Sequence, residues 1–192
     1  MSTSTTYSSI LIKKLDEIEN AISRNSYETA VLLNQDGSIL FEKKGNNKSV
    51  RFSVSDKKAM HGNVLTHNHP FQIELEDYGY KNTSIFSSID LLLAYQQKPK
   101  EIRMVVGDIR HSFQWTTASK HDARDILTKY EALEVAFKVA NNKVEKRLND
   151  GKYKTVEDYY GAYCTIREKY TDRICGFLED NSCIGYIFKR EA

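Results

Sequence analysis

Two short stretches of this chain carry residue types that can bind a metal ion. In His67-Asn68-His69-Pro70 the imidazoles are spaced i and i+2, and in Ser87-Ser88-Ile89-Asp90 a carboxylate follows a serine by three positions. His67 and His69 come after Gly62-Asn63-Val64-Leu65-Thr66, a short apolar run that reads as a strand ending in a polar turn. Residues i and i+2 of a strand share a face, so both rings can point at one ion. Ser87 and Asp90 open the apolar run 89–95, and a serine with an acid three residues later is the signature of a helix start. Two histidines and one carboxylate form a zinc set that leaves a fourth tetrahedral position for water, and such a water ionises near neutral pH. A general base is still required. Glu28, at the start of the strand-like run 27–33, is the best candidate, because the helical His-Glu-x-x-His signature is absent.

In this order, Glu28, then His67-x-His69-Pro70, then Ser87-x-x-Asp90, the chain resembles the JAB/MPN (JAMM) zinc metalloprotease family, and the His-Asn-His-Pro tetrapeptide resembles its RadC-like branch. The resemblance covers roughly residues 20 to 118. It implies a cytidine-deaminase-like α/β architecture and a zinc ion held by His67, His69 and Asp90. It also implies that Glu28 serves as acid and base and that Ser87 steadies the oxyanion. The expected activity is cleavage of a peptide or isopeptide bond in a protein or peptide substrate. The chain departs from the family in the interval between Pro70 and Ser87, which is longer here and carries the acidic stretch Glu74-Leu75-Glu76-Asp77-Tyr78-Gly79-Tyr80. That segment is either a substrate-gripping loop or a tolerated surface loop.

Weighed one at a time, the motifs are weak. A His-x-His pair is common on surfaces, Ser-x-x-Asp is also a plain helix cap, and Glu28 is one of many charged residues at a strand edge. Their joint order carries the reading. The contiguous His67-Asn68-His69 is no HNH nuclease signature, since the residues of that motif lie far apart in sequence. A second reading keeps the fold without catalysis, as a binding or adaptor protein whose helical tail engages a partner.

The rest of the chain supplies the elements that must position these groups. Leu11, Leu15, Ile18 and Ile22 fall on one face of an expected first helix. Residues 29–42 read as a hairpin around Asn34-Gln35-Asp36-Gly37, where Asp-Gly is a tight-turn signal. Residues 50–54 alternate as a half-buried strand would, and residues 102–106 and 112–115 read as two more strands around Gly107-Asp108. Beyond Ser119, two long helices are expected, from Ala123 through Leu148 and from Val156 through Leu178, with Asn149-Asp150-Gly151 as the break and a final strand near 184–188. The sum is an α/β fold with a mixed sheet, flanking helices and a C-terminal helix pair, divided as a domain over 1–118 and a helical extension over 119–192 packed on it.

A formal charge of +2 implies no polyanion partner. Lys138, Lys143, Lys146, Arg147, Lys152 and Lys154 cluster near the inter-helix turn, yet acids are interspersed among them, so nucleic-acid binding is not expected. No run is apolar enough to span a bilayer and the start lacks a secretory pattern, so a cytoplasmic protein is expected. Cys164, Cys175 and Cys183 show no CxxC spacing and read as reduced thiols. The tyrosines at 153, 159, 160, 163 and 170 either pack the helices together or form a partner surface.

Overall fold

In the computed structural model, residues 7–182 and 185–191 are described. Among them, six strands form one mixed sheet in the order β2-β1-β3-β4-β5-β6. The expected first helix is α1 (Ser9–Ile22), capped by Ser8, and it buries Leu11, Leu15 and Ile22. The hairpin follows as β1 (Thr29–Leu33) and β2 (Ile39–Lys44), paired antiparallel. Its turn places Gly37 at φ 88°, the left-handed region that Asp-Gly turns demand.

Residues 50–53 are not a strand, contrary to the alternation read there. Ser53 caps α2 (Val54–Ala59) in a capping box, its Oγ accepting from the Asp56 N–H at 3.2 Å while Asp56 Oδ2 accepts from the Ser53 N–H at 2.6 Å. The local Ser-x-x-acid pattern overrides a short alternation with no neighbouring strand to pair with.

β3 (Val64–Asn68) runs antiparallel to β1 and parallel to β4 (Glu101–Val106), which pairs antiparallel with β5 (Ile109–Trp115). The parallel step requires a crossover, and the chain makes it through α3 (Ile73–Asp77) and α4 (Ser88–Gln97). The two long helices are α5 (Lys120–Asn149) and α6 (Val156–Asp180). β6 (Tyr186–Glu191) then joins the sheet against β5. It starts beside Gly185, at φ 95°, where an added Cβ would fall 2.3 Å from the Ala118 nitrogen.

The pleat divides the interior in two. Val31, Leu33 and Val64 face α1, where they pack with Leu11 and Leu15. Ala30, Leu32, Leu65, Ile102 and Met104 face the other way, into a larger core that takes Leu91 from α4, Ile126 and Tyr130 from α5, and Ile174 and Leu178 from α6. The C-terminal helices and β6 thus share one core and one sheet with the residues before them.

The α1 side also holds a charged cluster. Glu19, 1% exposed, accepts from Thr66 at 3.0 Å and from Arg103 at 2.6 Å, and Arg110 lies 3.4 Å away. A buried carboxylate is tolerable only when paired in this way. Among the described residues, no helix is long and apolar enough to cross a membrane.

Candidate metal centre

Period-two alternation along β3 assigns each residue its task. Leu65 and His67 lie on the large-core face, while Thr66 turns to Glu19 on the opposite side. Asn68 is fully buried. Its Oδ1 accepts from the Thr29 N–H at 2.7 Å, and its Nδ2 donates to the carbonyl oxygens of Tyr27 at 2.9 Å and Asn25 at 3.3 Å. The middle residue of His67-Asn68-His69 therefore fastens the segment that carries Glu28. That segment is also tied to the hairpin, where the Glu28 N–H donates to Asn46 at 2.8 Å and the Gly45 N–H donates to Glu28 at 2.8 Å. His69 lies just beyond β3, held by its N–H to the Val105 carbonyl at 3.0 Å.

Asp90 sits in the first turn of α4, where the helix dipole favours an anion. Ser87 is the N-cap. Its Oγ accepts from the Asp90 N–H at 3.2 Å and donates to Asp90 Oδ2 at 2.7 Å, and the Ser87 N–H donates to the same oxygen at 2.7 Å. The next free N–H of the helix, that of Ser88, donates to Glu134 of α5 at 2.8 Å. The carboxylate is thus aimed by its own cap, and the start of the helix that carries it is braced by a helix far along the chain.

These placements bring together the three side chains singled out from sequence. One ligand atom from each of His67, His69 and Asp90 lies within 4.8 Å of the others. Asp90 Oδ1 is 3.6 Å from His67 Nε2, and Asp90 Oδ2 is 3.6 Å from His69 Nε2. Both distances are too long for a hydrogen bond. They are close to the separation of two ligands on one tetrahedral zinc, which at bond lengths near 2.0–2.1 Å stand about 3.4 Å apart. His67 Nε2 is buried and has no hydrogen-bond partner among the described residues. A buried polar atom left unpaired is costly, and a cation between it and the carboxylate satisfies it. The group can hold a metal ion.

The surrounding charges agree. Burial alone would lower the His67 pKa, but the adjacent Asp90 carboxylate outweighs it, and the pKa is raised. Burial would raise that of Asp90, and the two imidazoles instead hold it well below the usual carboxylate range. Glu28 is half-buried, and desolvation raises its pKa against the lowering pull of His69 and His67. Glu28, His67, His69, Ser87 and Asp90 all line one open cavity of about 640 Å³.

Sequence reasoning missed two supports. Ser84 Oγ lies 2.7 Å from His69 Nδ1, fixing the ring so that Nε2 faces Asp90, and Asn68 anchors the Glu28 segment. Ser84 belongs to the long interval after Pro70, whose acidic stretch does not line the cavity. That interval is held down: Asn82 bonds both backbone groups of Gln72 at 2.8 and 3.0 Å, and Arg167 of α6 donates to the Thr83 carbonyl at 2.7 Å. Ser84 stands 15 positions from the imidazole it holds, and no spacing rule marks a serine so placed as a histidine partner.

The described cysteines lie elsewhere. Burial pushes the Cys175 thiol up to about 11 and raises that of Cys164, so neither is a ready nucleophile. Cys183 lies outside the described residues. The C-terminal tyrosines pack on one another and on the interval after Pro70, with Tyr78 and Tyr160 ring centres 5.0 Å apart and Tyr159 and Tyr160 5.2 Å apart.

Fold and site together define an α/β protein with a candidate His-His-Asp metal centre at the end of β3 and the start of α4. No family model, curated protein or solved structure matches the chain.

Proposed function

We propose that this protein is a zinc-dependent hydrolase of JAMM type that cleaves a peptide or isopeptide bond. The observation that carries the reading is the convergence of His67 Nε2, His69 Nε2 and the two Asp90 oxygens beside a half-buried glutamate in one open cavity. His67, His69 and Asp90 would hold the ion. When bound, zinc supplies a Lewis acid for a carbonyl oxygen and lowers the pKa of a coordinated water.

The chain's own groups do the rest. The raised pKa of Glu28 suits a carboxylate that takes a proton from water and returns it to the leaving amine. Ser87 keeps Asp90 Oδ2 in place. A hydrogen bond from the same hydroxyl to a developing oxyanion, worth a few kcal/mol of barrier at comparable sites, requires its proton to leave that oxygen. Val50, Phe52, Ile89 and Leu93 give the cavity apolar walls on which a polypeptide can lie. The RadC-like resemblance of the tetrapeptide and the order of the five residues support the same assignment.

The test is hydrolysis of a peptide library by purified protein. Chelation should abolish cleavage and stoichiometric zinc should restore it. A zinc-loaded protein that cuts no peptide or isopeptide would favour the adaptor reading, in which the same fold binds without catalysis.

A further inference from the structure

The cavity around the candidate centre is uneven in charge. Its lining combines the Glu28 and Asp90 carboxylates with a wall formed by residues 48–57, which contributes Lys48, Arg51 and Lys57. All three cations are exposed, and among the described residues none has an ion pair or side-chain hydrogen bond. Between residues 43 and 58 the chain carries Lys43, Lys44, Lys48, Arg51, Lys57 and Lys58 against one acid, Asp56. Asp56 is already taken, lying 2.7 Å from Lys43, which with Ser53 holds its pKa down to about 2. Within residues 43–58 the cations therefore far outnumber the acids, unlike on the mixed faces of α5.

A second feature adjoins it. Ile89, 73% exposed, stands on the ridge between this cavity and a groove of about 360 Å³ that separates α4 from α5. Leu92, Tyr95 and Leu127 give that groove apolar side chains, and Lys120, Arg124 and Glu131 also line it. The two cavities share Ile89, so a chain passing over Asp90 can reach the cations of residues 48–57 on one flank and the apolar side chains of the groove on the other.

We propose that the cleft binds an extended polypeptide with acidic residues on the flank that meets Lys48, Arg51 and Lys57, and a bulky apolar side chain on the flank that enters the α4–α5 groove. This deepens the hydrolase reading and rests on it only for the bond being cut; the binding polarity stands on the cleft alone. A nucleic-acid strand fits less well, because its evenly spaced phosphates would meet the Glu28 and Asp90 carboxylates in the cavity and Leu92, Leu127 and Glu131 in the groove, whereas a polypeptide can place its acidic residues on one flank only.

The test uses the zinc-supplemented full chain and two fluorescently labelled peptides of equal length. Both carry Leu-Phe on one flank, and they differ on the other flank, Asp-Glu-Asp in one and Asn-Gln-Asn in the other. The acidic peptide should bind roughly tenfold tighter at low ionic strength, from several exposed charge contacts of ordinary strength, and the advantage should shrink with salt. The combined variant Lys48→Glu, Arg51→Glu, Lys57→Glu should remove that advantage, and Leu92→Arg should weaken both peptides alike. Equal binding of the two peptides, no binding of either, or tighter binding of a single-stranded oligonucleotide of the same length would each overturn the proposal. Indifference of both peptides to Leu92→Arg would overturn its apolar half. Preferential binding without cleavage would instead defeat the hydrolase reading alone, and cleavage without charge preference would defeat this proposal alone.

Discussion

His67 Nε2 and Asp90 Oδ1 face each other across 3.6 Å in a buried setting, and among the described residues the imidazole nitrogen has no hydrogen bond. The arrangement makes the pair sensitive to protons when no metal is bound. His67 has a raised folded-state pKa, so its contribution to stability is complete below the ordinary histidine value of about 6.5 and is lost as pH rises through the folded value. Asp90 has a depressed one, so its contribution is complete above about 3.9 and is lost as pH falls through the folded value. Chelator-treated protein should therefore have its highest Tm between those two limits and lose stability as pH rises through the folded His67 value. Metal affinity should rise over the same upper window, since the ion displaces a proton from His67. A Tm of the chelated protein that is flat from weakly acidic to weakly alkaline pH would contradict the pairing.

Glu28 shares the cavity with the ligands without being one of them. Glu28→Gln should lower kcat by about 10²- to 10⁴-fold, the usual worth of a general base, while zinc content is unchanged. His67→Ala should lose both. Because burial raises the Glu28 pKa, the acid limb of the kcat/KM profile should lie above the ordinary carboxylate value, and Glu28→Gln should remove that limb from whatever activity is left. Full activity in either variant refutes the assigned roles.

Asn68 carries no chemistry itself, yet it holds the backbone on which Glu28 sits. Asn68→Ala leaves the Thr29 N–H and the Tyr27 carbonyl without their partner, which should cost about 1–3 kcal/mol of stability. At a temperature where the variant remains folded, kcat should fall while zinc binding persists. Urea denaturation and metal analysis separate the two effects, and equal loss of zinc and activity would show that Asn68 acts on the ligands instead.

Ser84→Ala removes the partner of His69 Nδ1. Outer partners of metal-binding histidines are commonly worth about 10- to 100-fold in metal affinity. Competition with a calibrated zinc chelator reads that loss directly, and an unchanged affinity would show that the ring is oriented by its backbone alone.

The elements were legible where local signals agreed with tertiary demand. Leu11, Leu15 and Ile22 marked the buried face of α1, Asp36-Gly37 marked the hairpin, and the break at 149–151 separated α5 from α6. At 50–54 a real alternation misled, because nothing in sequence says whether a partner strand is within reach, whereas Ser53 and Asp56 had already written a helix cap. The three candidate ligands could be picked out because strand and helix periods put them on shared faces. Their supports could not. Ser84, Glu134 and the Asn68 bonds to residues 25–29 depend on segments brought together only by folding, and no spacing rule links Ser88 to a glutamate 46 positions away.

The most direct test of the central claim is the zinc content of the purified, unsupplemented protein, measured by elemental analysis beside His67→Ala and Asp90→Ala. The wild type should carry about one equivalent and each variant close to none. A wild type that binds no divalent metal when zinc is supplied, or an Asp90→Ala protein that keeps a full equivalent, would contradict the three-residue centre.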